Sequence, residues 1–165
     1  MQLDTFDKLL AHELKDLWSA GTQLKAFLPT LTDAAQDADL IAHLNGLREQ
    51  TEEQVERIES IADDTDFGAR GHKCRGMEGL VTEAKEILSE ANNPEIGNAA
   101  IISALQRMLH YQIAAYGVAR TLLEKGSRYE HADTIQTSLG EVTVTDQKLT
   151  RLAERKINFE ALMSG

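Results

Sequence analysis

Apolar residues recur at steps of three and four along four long stretches of this chain. That spacing admits little besides amphipathic helices packed against one another. In the first stretch Leu3, Phe6, Leu10, Leu14, Leu17, Gly21, Leu24, Leu28 and Leu31 line one narrow seam, predicting a helix over about residues 4–36. Pro29 lies inside it, and because the spacing continues past it, a bend rather than an end is expected. "QDAD" at 36–39 breaks the pattern and offers Asp37 or Asp39 as an N-cap. A second helix is expected over about 38–64, with Leu40, Leu44, Leu47, Thr51, Gln54, Ile58 and Ile61 facing inward. A loop, "DDTDFGARGH" at 63–72, leads to a short helix over about 74–91 carrying Met77, Leu80, Val81, Ala84, Ile87 and Leu88.

"NNPEIG" at 92–97 reads as the next break. The third long helix follows over about 97–125, with Ile102, Leu105, Leu109, Gln112, Tyr116, Ala119 and Leu123 inward and Gly126 as its C-cap. The fourth covers about 129–161, with Ala132, Ile135, Leu139, Val142, Asp146, Leu149 and Ala153 on the seam. "EVTVT" at 141–145 alternates like a strand, but a lone strand has no partner and the helical spacing runs through it. It is read as helix, held by packing against a propensity cost of roughly 2–3 kcal/mol from Gly140 and the β-branched run.

Four long helices and one short one predict an all-α fold, an antiparallel four-helix bundle. The connection between the second and third long helices holds the short helix and is long enough to cross the bundle, as in ferritin-like topologies. The 165 residues suit a single domain spanning 1–165, with no internal repeat. The net charge of −10 argues against nucleic acid and acidic membrane surfaces as partners. The cationic string "ARGHKCR" at 69–75 reads as a solvated loop. One cysteine, Cys74, permits no intrachain disulfide, which fits a reducing compartment. No basic-then-apolar leader opens the chain and no apolar run reaches the roughly 18–20 residues of a membrane span, so a cytoplasmic location is expected.

At mid-height the seams stop being apolar. They offer Gly21, then Gln50, Thr51 and Gln54, then Leu109 and Gln112, then Val142 and Asp146. A polar layer at the waist of a bundle is either a ligand site or a hydrogen-bonded specificity layer. Iron or manganese wants carboxylates and imidazoles, whereas this layer has one acid and no histidine, so no metal or other cofactor is expected there. Buried amides must find partners, so Gln50 and Gln112 are expected to share hydrogen bonds with one another or with Thr51, Gln54 or Asp146.

The remaining reactive side chains form no catalytic pattern. His110 lies about 160° around the helix from Gln112 and reads as a surface or interface histidine. His12 lacks the second histidine of a zinc-protease helix, and His43, His72 and His131 fall in or near exposed stretches with no paired spacing. Glu13 is a boundary carboxylate. Tyr111 and Tyr116 are packing residues with hydrogen-bonded hydroxyls. Cys74 starts a helix, where a thiolate is favoured, but has no partner cysteine. Glu78 is a possible contact to a cation of another chain. Ile101, Ile113 and Leu122, apolar but off the main seams, lend some support to self-association.

The strings "ELKDLWSAGTQL" (13–24), "EQTEEQVERI" (49–58), "KCRGMEGL" (73–80), "LHYQIAAYG" (109–117) and "GEVTVTDQKLTRLAE" (140–154) together resemble the YciE/YciF-type ferritin-like proteins, small bacterial stress-associated proteins. The resemblance covers nearly the whole chain. It implies a ferritin-like four-helix bundle, usually a homodimer, and in many members carboxylates placed for a di-iron-type centre. Resembling members read Ala-Glu-Lys where this chain has Ala20-Gly21-Thr22, and Glu-Glu-Thr where it has Glu49-Gln50-Thr51. They read Glu-His-Tyr-Glu at Leu109 to Gln112, and Glu-Glu-Glu-Lys at Gly140 to Thr143. The acids implied at 21, 50, 109, 112 and 142 have become Gly21, Gln50, Leu109, Gln112 and Val142.

The expected function is therefore a non-catalytic, stress-associated structural or interaction protein with a degenerate di-metal site, rather than an enzyme. The alternative is a metal-dependent oxidoreductase or iron-handling protein, with iron or manganese held by Asp146 and acids such as Glu49, Glu52 or Glu141. A third possibility is an adaptor whose acidic surface meets a basic partner.

Overall fold

The computed structural model describes residues 2–165. Four of the helices start where a side chain accepts from an otherwise orphaned backbone N–H. Thr5 caps α1 (Phe6–Ala34) by accepting from Lys8 N at 3.2 Å. Asp37 caps α2 (Ala38–Asp64) through Leu40 N at 2.9 Å, so of the two aspartates offered by the sequence it is Asp37 that serves. Cys74 caps α3 (Arg75–Glu90), its Sγ accepting from Met77 N at 3.3 Å. Asn93 caps α4 (Pro94–Lys125) through Ile96 N at 2.8 Å. The break expected over 92–97 is thus shorter: Pro94 opens the helix, because at its first position the missing N–H is no loss. Gly126 ends α4 as expected, but at φ −79; the left-handed residue is its neighbour Ser127, at φ 59.

The last long helix is continuous but not uniform. α5 (Tyr129–Leu152) passes into a π-helical turn at Ala153–Ile157 and then α6 (Asn158–Met163). "EVTVT" lies inside α5, and no strand forms among the described residues. Val142 is fully buried there, so packing carries the β-branched run. α1 runs through Pro29 and ends at Ala34, two residues earlier than its spacing predicts.

Cross-helix contacts give the topology. Trp18 meets Glu59 and Lys25 meets Glu52, so α1 and α2 are antiparallel. Gln50 meets Thr145, Gln54 meets Glu141 and Arg57 meets Ser138, so α2 and α5 are antiparallel too. Asn98 near the start of α4 accepts from Gln36 N just beyond α1, at 2.9 Å, and α4 runs opposite to α1. α1 and α5 each pack against both α2 and α4, which leaves α2 and α4 as a diagonal pair. Those two helices are parallel, so residues 65–93 must cross the length of the bundle, and α3 packs on the outside against α4 and α1. This is the ferritin-like arrangement, all-α with one long crossover.

Most seam residues are where the spacing puts them, and all seven on α2 are buried. Leu3 and Phe6 are not: both are exposed, because α1 begins only at Phe6 and its first turn overhangs the bundle. On α3 only Met77 and Ala84 are fully buried; Leu80, Val81 and Leu88 pack as a half-buried layer on the core. Nor is 69–75 a simply solvated loop: Ala69 and Cys74 are buried, and Arg70 stacks over Trp18 at 5.7 Å. Among the described residues no helix is long and apolar enough to cross a membrane.

Candidate functional site

The waist is assembled on the diagonal pair. Gln50 and Gln54 stand one turn apart on α2, and Gln112 and Tyr116 one turn apart on α4. Gln112 is 1% exposed, and Gln54, Thr51 and Tyr116 are equally buried. Leu109 and Val142 fill their positions with apolar contact. Gly21 faces this layer from α1. A Cβ there would stand 2.9 Å from Val55 Cγ2 and 3.9 Å from Gln112 Nε2. The space left by the missing side chain is thus taken by Val55, with the Gln112 amide beside it.

The expected sharing of hydrogen bonds among these residues does not occur directly. Gln50 Oε1 accepts from Thr145 Oγ1 at 3.3 Å, and Gln54 Nε2 donates to Glu141 Oε2 at 2.9 Å. Thr51 turns its hydroxyl back onto the Leu47 carbonyl at 2.7 Å, the usual resort of a helical threonine. Gln112 bonds to no protein atom at either end of its amide, and Gln50 Nε2, Gln54 Oε1 and the Tyr116 hydroxyl are likewise without protein partners. Ser138 stands beside the Tyr116 hydroxyl, but the pair lacks good hydrogen-bond geometry, short of the hydrogen-bonded hydroxyl expected. Burial, and then the charge of Glu141, push its hydroxyl well above the ordinary phenol range, so it stays protonated.

Asp146 is not part of the layer. It lies half-buried at the α4–α5 edge, where Oδ1 accepts from Gln106 Nε2 at 2.9 Å and Oδ2 pairs with His110 Nε2 at 3.0 Å. A carboxylate one turn beyond Val142 is drawn to the boundary, where donors and water reach it. His110 does face away from the waist, with its side chain 67% exposed.

The charge nearest the waist was not singled out by the spacing. Arg57 Nη1 reaches Glu141 Oε2 at 2.8 Å and Ser138 Oγ at 3.2 Å. Burial alone would raise the Glu141 carboxyl, but the hydrogen bonds from Arg57 and Gln54 outweigh it and hold it below the ordinary carboxylate range. The other acids named for an alternative metal centre are dispersed. Glu49 is exposed, and Glu52 pairs with Lys25 at 2.6 Å. A di-iron or di-manganese centre needs several anionic oxygens converging on one point. Positions 21, 50, 109, 112 and 142 supply two neutral amides and no charge, so the residues do not fit such a centre. No three His, Cys, Asp or Glu among the described residues are grouped to hold a metal ion.

A second cluster was missed in the sequence because its members are far apart in it. His72 Nε2 pairs with Asp16 Oδ1 at 3.0 Å, and its ring meets that of His12 edge-on at 4.8 Å. Tyr111 donates to Asp16 Oδ2 at 2.7 Å and accepts from Cys74 Sγ at 3.0 Å. Ser19 Oγ accepts from Cys74 N at 2.9 Å, and Gln23 Nε2 donates to Cys74 O at 3.0 Å. Burial raises the Cys74 thiol above its ordinary value, so the thiolate that a helix start can favour is disfavoured here. The cluster fastens the loop that leads into α3, and the start of α3 itself, to α1 and α4. Glu78 is occupied within its own chain by Lys73. Ile101 is fully buried, while Ile113 and Leu122 pack on the core and are half-buried.

Comparisons with known proteins agree with this architecture. The chain is 34% identical to Protein YciF of Escherichia coli (strain K12) over 162 residues, 98% of each chain. The crystal structure of the E. coli stress protein YciF superposes with a TM-score of 0.90, covering 94% of this chain and 99% of that one. YcfI of Rhodopseudomonas palustris, titled a putative structural protein, is 29% identical with a TM-score of 0.87, covering 91% and 97%. A family model described as a domain of unknown function, DUF892, matches residues 5–162, and with that match and the YciF likeness the chain belongs to this family of YciF-like ferritin-like bundles.

Proposed function

We propose that this protein is a non-catalytic, stress-associated structural bundle whose waist is a di-metal site neutralised in place. The observation that carries the reading is the content of the five waist positions: Gly21, Gln50, Leu109, Gln112 and Val142 bring no carboxylate to the centre. Glu141, the acid near this layer, is committed to Arg57. Several unliganded glutamates at this depth would repel one another and bear a large desolvation cost. An amide keeps the shape without the charge, and Leu and Val add apolar contact. The relatives' descriptions as a stress protein and a putative structural protein support the same role.

Elemental analysis of the purified, dialysed protein tests this reading. Far less than one iron or manganese per chain is expected, and a near-stoichiometric amount of either would defeat it. The oxidoreductase alternative finds no support in the geometry, since Glu49, Glu52, Glu141 and Asp146 do not converge. The proposal includes a cytoplasmic location and a homodimer. Of the residues first offered for self-association Ile101 is buried in the fold, so the dimer rests mainly on the family resemblance; half-buried Ile113 and Leu122 and exposed Phe159, Leu162 and Met163 are free to contribute. Sedimentation at micromolar concentration is expected to give twice the chain mass, and a clean monomer rejects the dimer.

A further inference from the structure

We propose that the waist is a built hydration site in which at least two enclosed water molecules bridge α2 to α4 through Gln50, Gln54, Gln112 and Tyr116. This goes beyond the neutralised-centre reading and does not rest on it, because it follows from the polar atoms present rather than from any acids lost. Five buried side-chain atoms lack a protein partner: Gln50 Nε2, Gln54 Oε1, both amide ends of Gln112, and the Tyr116 hydroxyl. Native cores seldom leave such atoms unsatisfied, and a group of them on facing helices is where enclosed water is found.

The mixture of atoms selects the occupant. Gln50 Nε2 and Gln112 Nε2 can only donate; Gln54 Oε1 and Gln112 Oε1 can only accept; the Tyr116 hydroxyl does both. A cation would satisfy the oxygens and repel the amide N–H groups, and an anion would do the reverse. Water both donates and accepts, so it alone suits the whole set. The nearest ion pair is already balanced, Arg57 against Glu141 at 2.8 Å, so no net charge calls for a counter-ion. One water makes up to about four hydrogen bonds, fewer than the five atoms require.

The placement of the residues supports bridging rather than direct contact. α2 and α4 are diagonal in the bundle, so their side chains approach across its axis instead of interlocking as neighbours do. The Tyr116 hydroxyl has the Ser138 side chain beside it and lies in the electrostatic surroundings of Glu141 and Arg57, the same corner that Gln54 Nε2 enters. The amide nitrogen of Gln112 lies beside Gly21, 3.9 Å from where a Cβ would be, so no α1 side chain stands over it at that position. The layer is thus a short wet seam inside an otherwise aliphatic core.

The test uses the full chain, freed of metal by dialysis. Oxygen-17 relaxation dispersion counts waters that exchange more slowly than the protein tumbles, and a high-resolution crystal structure locates them. The parent is expected to hold at least two such waters here, with density at hydrogen-bonding distance, about 2.7–3.2 Å, from both Gln112 amide atoms. Gln112→Leu and Tyr116→Phe should each lower the count of slow waters by one or more. Tyr116→Phe alters a single hydroxyl, so folding is preserved in at least that variant. A count unchanged in a folded variant overturns the proposal. So does a crystal structure of the parent in which the Gln112 amide bonds directly to Gln50 or Gln54 with no density between α2 and α4. Metal content is measured on the same samples and reports separately on the neutralised-centre reading.

Discussion

Gln112 brings an amide into the core with no protein atom to receive either end of it. Replacing it by leucine removes the unsatisfied groups together with their hydration, so Gln112→Leu is expected to shift stability by no more than about 1 kcal/mol. Gln112→Glu buries a carboxylate beside apolar Val55 and Leu109, and should destabilise by roughly 3–5 kcal/mol at neutral pH. Urea denaturation of the two variants checks this, and equal costs would show that charge is not what the position avoids. Glu141 makes the complementary case, a charge that is tolerated. Its folded carboxyl sits below the unfolded value of about 4.3, because the hydrogen bonds from Arg57 and Gln54 overcome burial. Its contribution to stability is therefore complete above that value and is lost as pH falls through the lower folded value. Denaturation midpoints measured from pH 7 to pH 3 should fall less steeply for Glu141→Gln than for the parent; parallel curves would remove Glu141 from the account.

At the scale of elements, the helices were legible where the seam was long and continuous, as on α2, whose expected bounds of 38 and 64 are those observed. Ends were less legible, because a cap is a local hydrogen bond: Asn93 moved the start of α4 forward to Pro94, and α1 closes at Ala34, where the Ala35 N–H donates back to the Leu31 carbonyl. The π-helical turn at Ala153–Ile157 leaves no mark in the spacing, yet it is where Lys156 reaches Asp37 at 2.5 Å, tying the end of the bundle to the α1–α2 turn. The docking of α3 turns on Gly76. A Cβ there would stand 2.6 Å from Cε2 of Tyr111, whose hydroxyl holds Asp16 and Cys74 together. Gly76→Ala must displace that ring and should cost about 1–3 kcal/mol. Hydrogen exchange should show the loss concentrated in α3, and Tyr111→Leu in the same chain should recover part of it. Protection unchanged in α3 would place the strain elsewhere.

For the whole molecule, the parallel diagonal of α2 and α4 requires the long crossover and also puts the polar residues opposite one another. The ferritin-like frame is kept although its centre carries no carboxylates, which makes a reconstruction feasible. Glutamate at 21, 50, 109, 112 and 142 should lower the melting temperature of the metal-free protein and introduce iron or manganese binding. Gly21→Glu would run into Val55, 2.9 Å from the new Cβ, so the reconstruction includes Val55→Ala. Metal content and melting curves with and without added metal provide the readout. A variant that melts like the parent and takes up no metal would count against the waist as a neutralised centre.

By itself, the sequence determined the helical class, the number of long helices, which face of each turns inward, and that the waist is polar without being acidic. All of these follow from residue type at a fixed angular step, a local property of the chain. Tertiary structure alone decided the partnerships. Asp146 left the waist for His110 and Gln106, Glu141 was claimed by Arg57, and of the amides expected to pair with each other Gln50 took Thr145 while Gln112 was left without a protein partner. It also brought His12, Asp16, His72, Cys74 and Tyr111 into one cluster from three separate segments. Spacing states which side of a helix a residue occupies; which atom it meets depends on the crossing, register and depth of a second helix, and those are set only when all the seams are buried together.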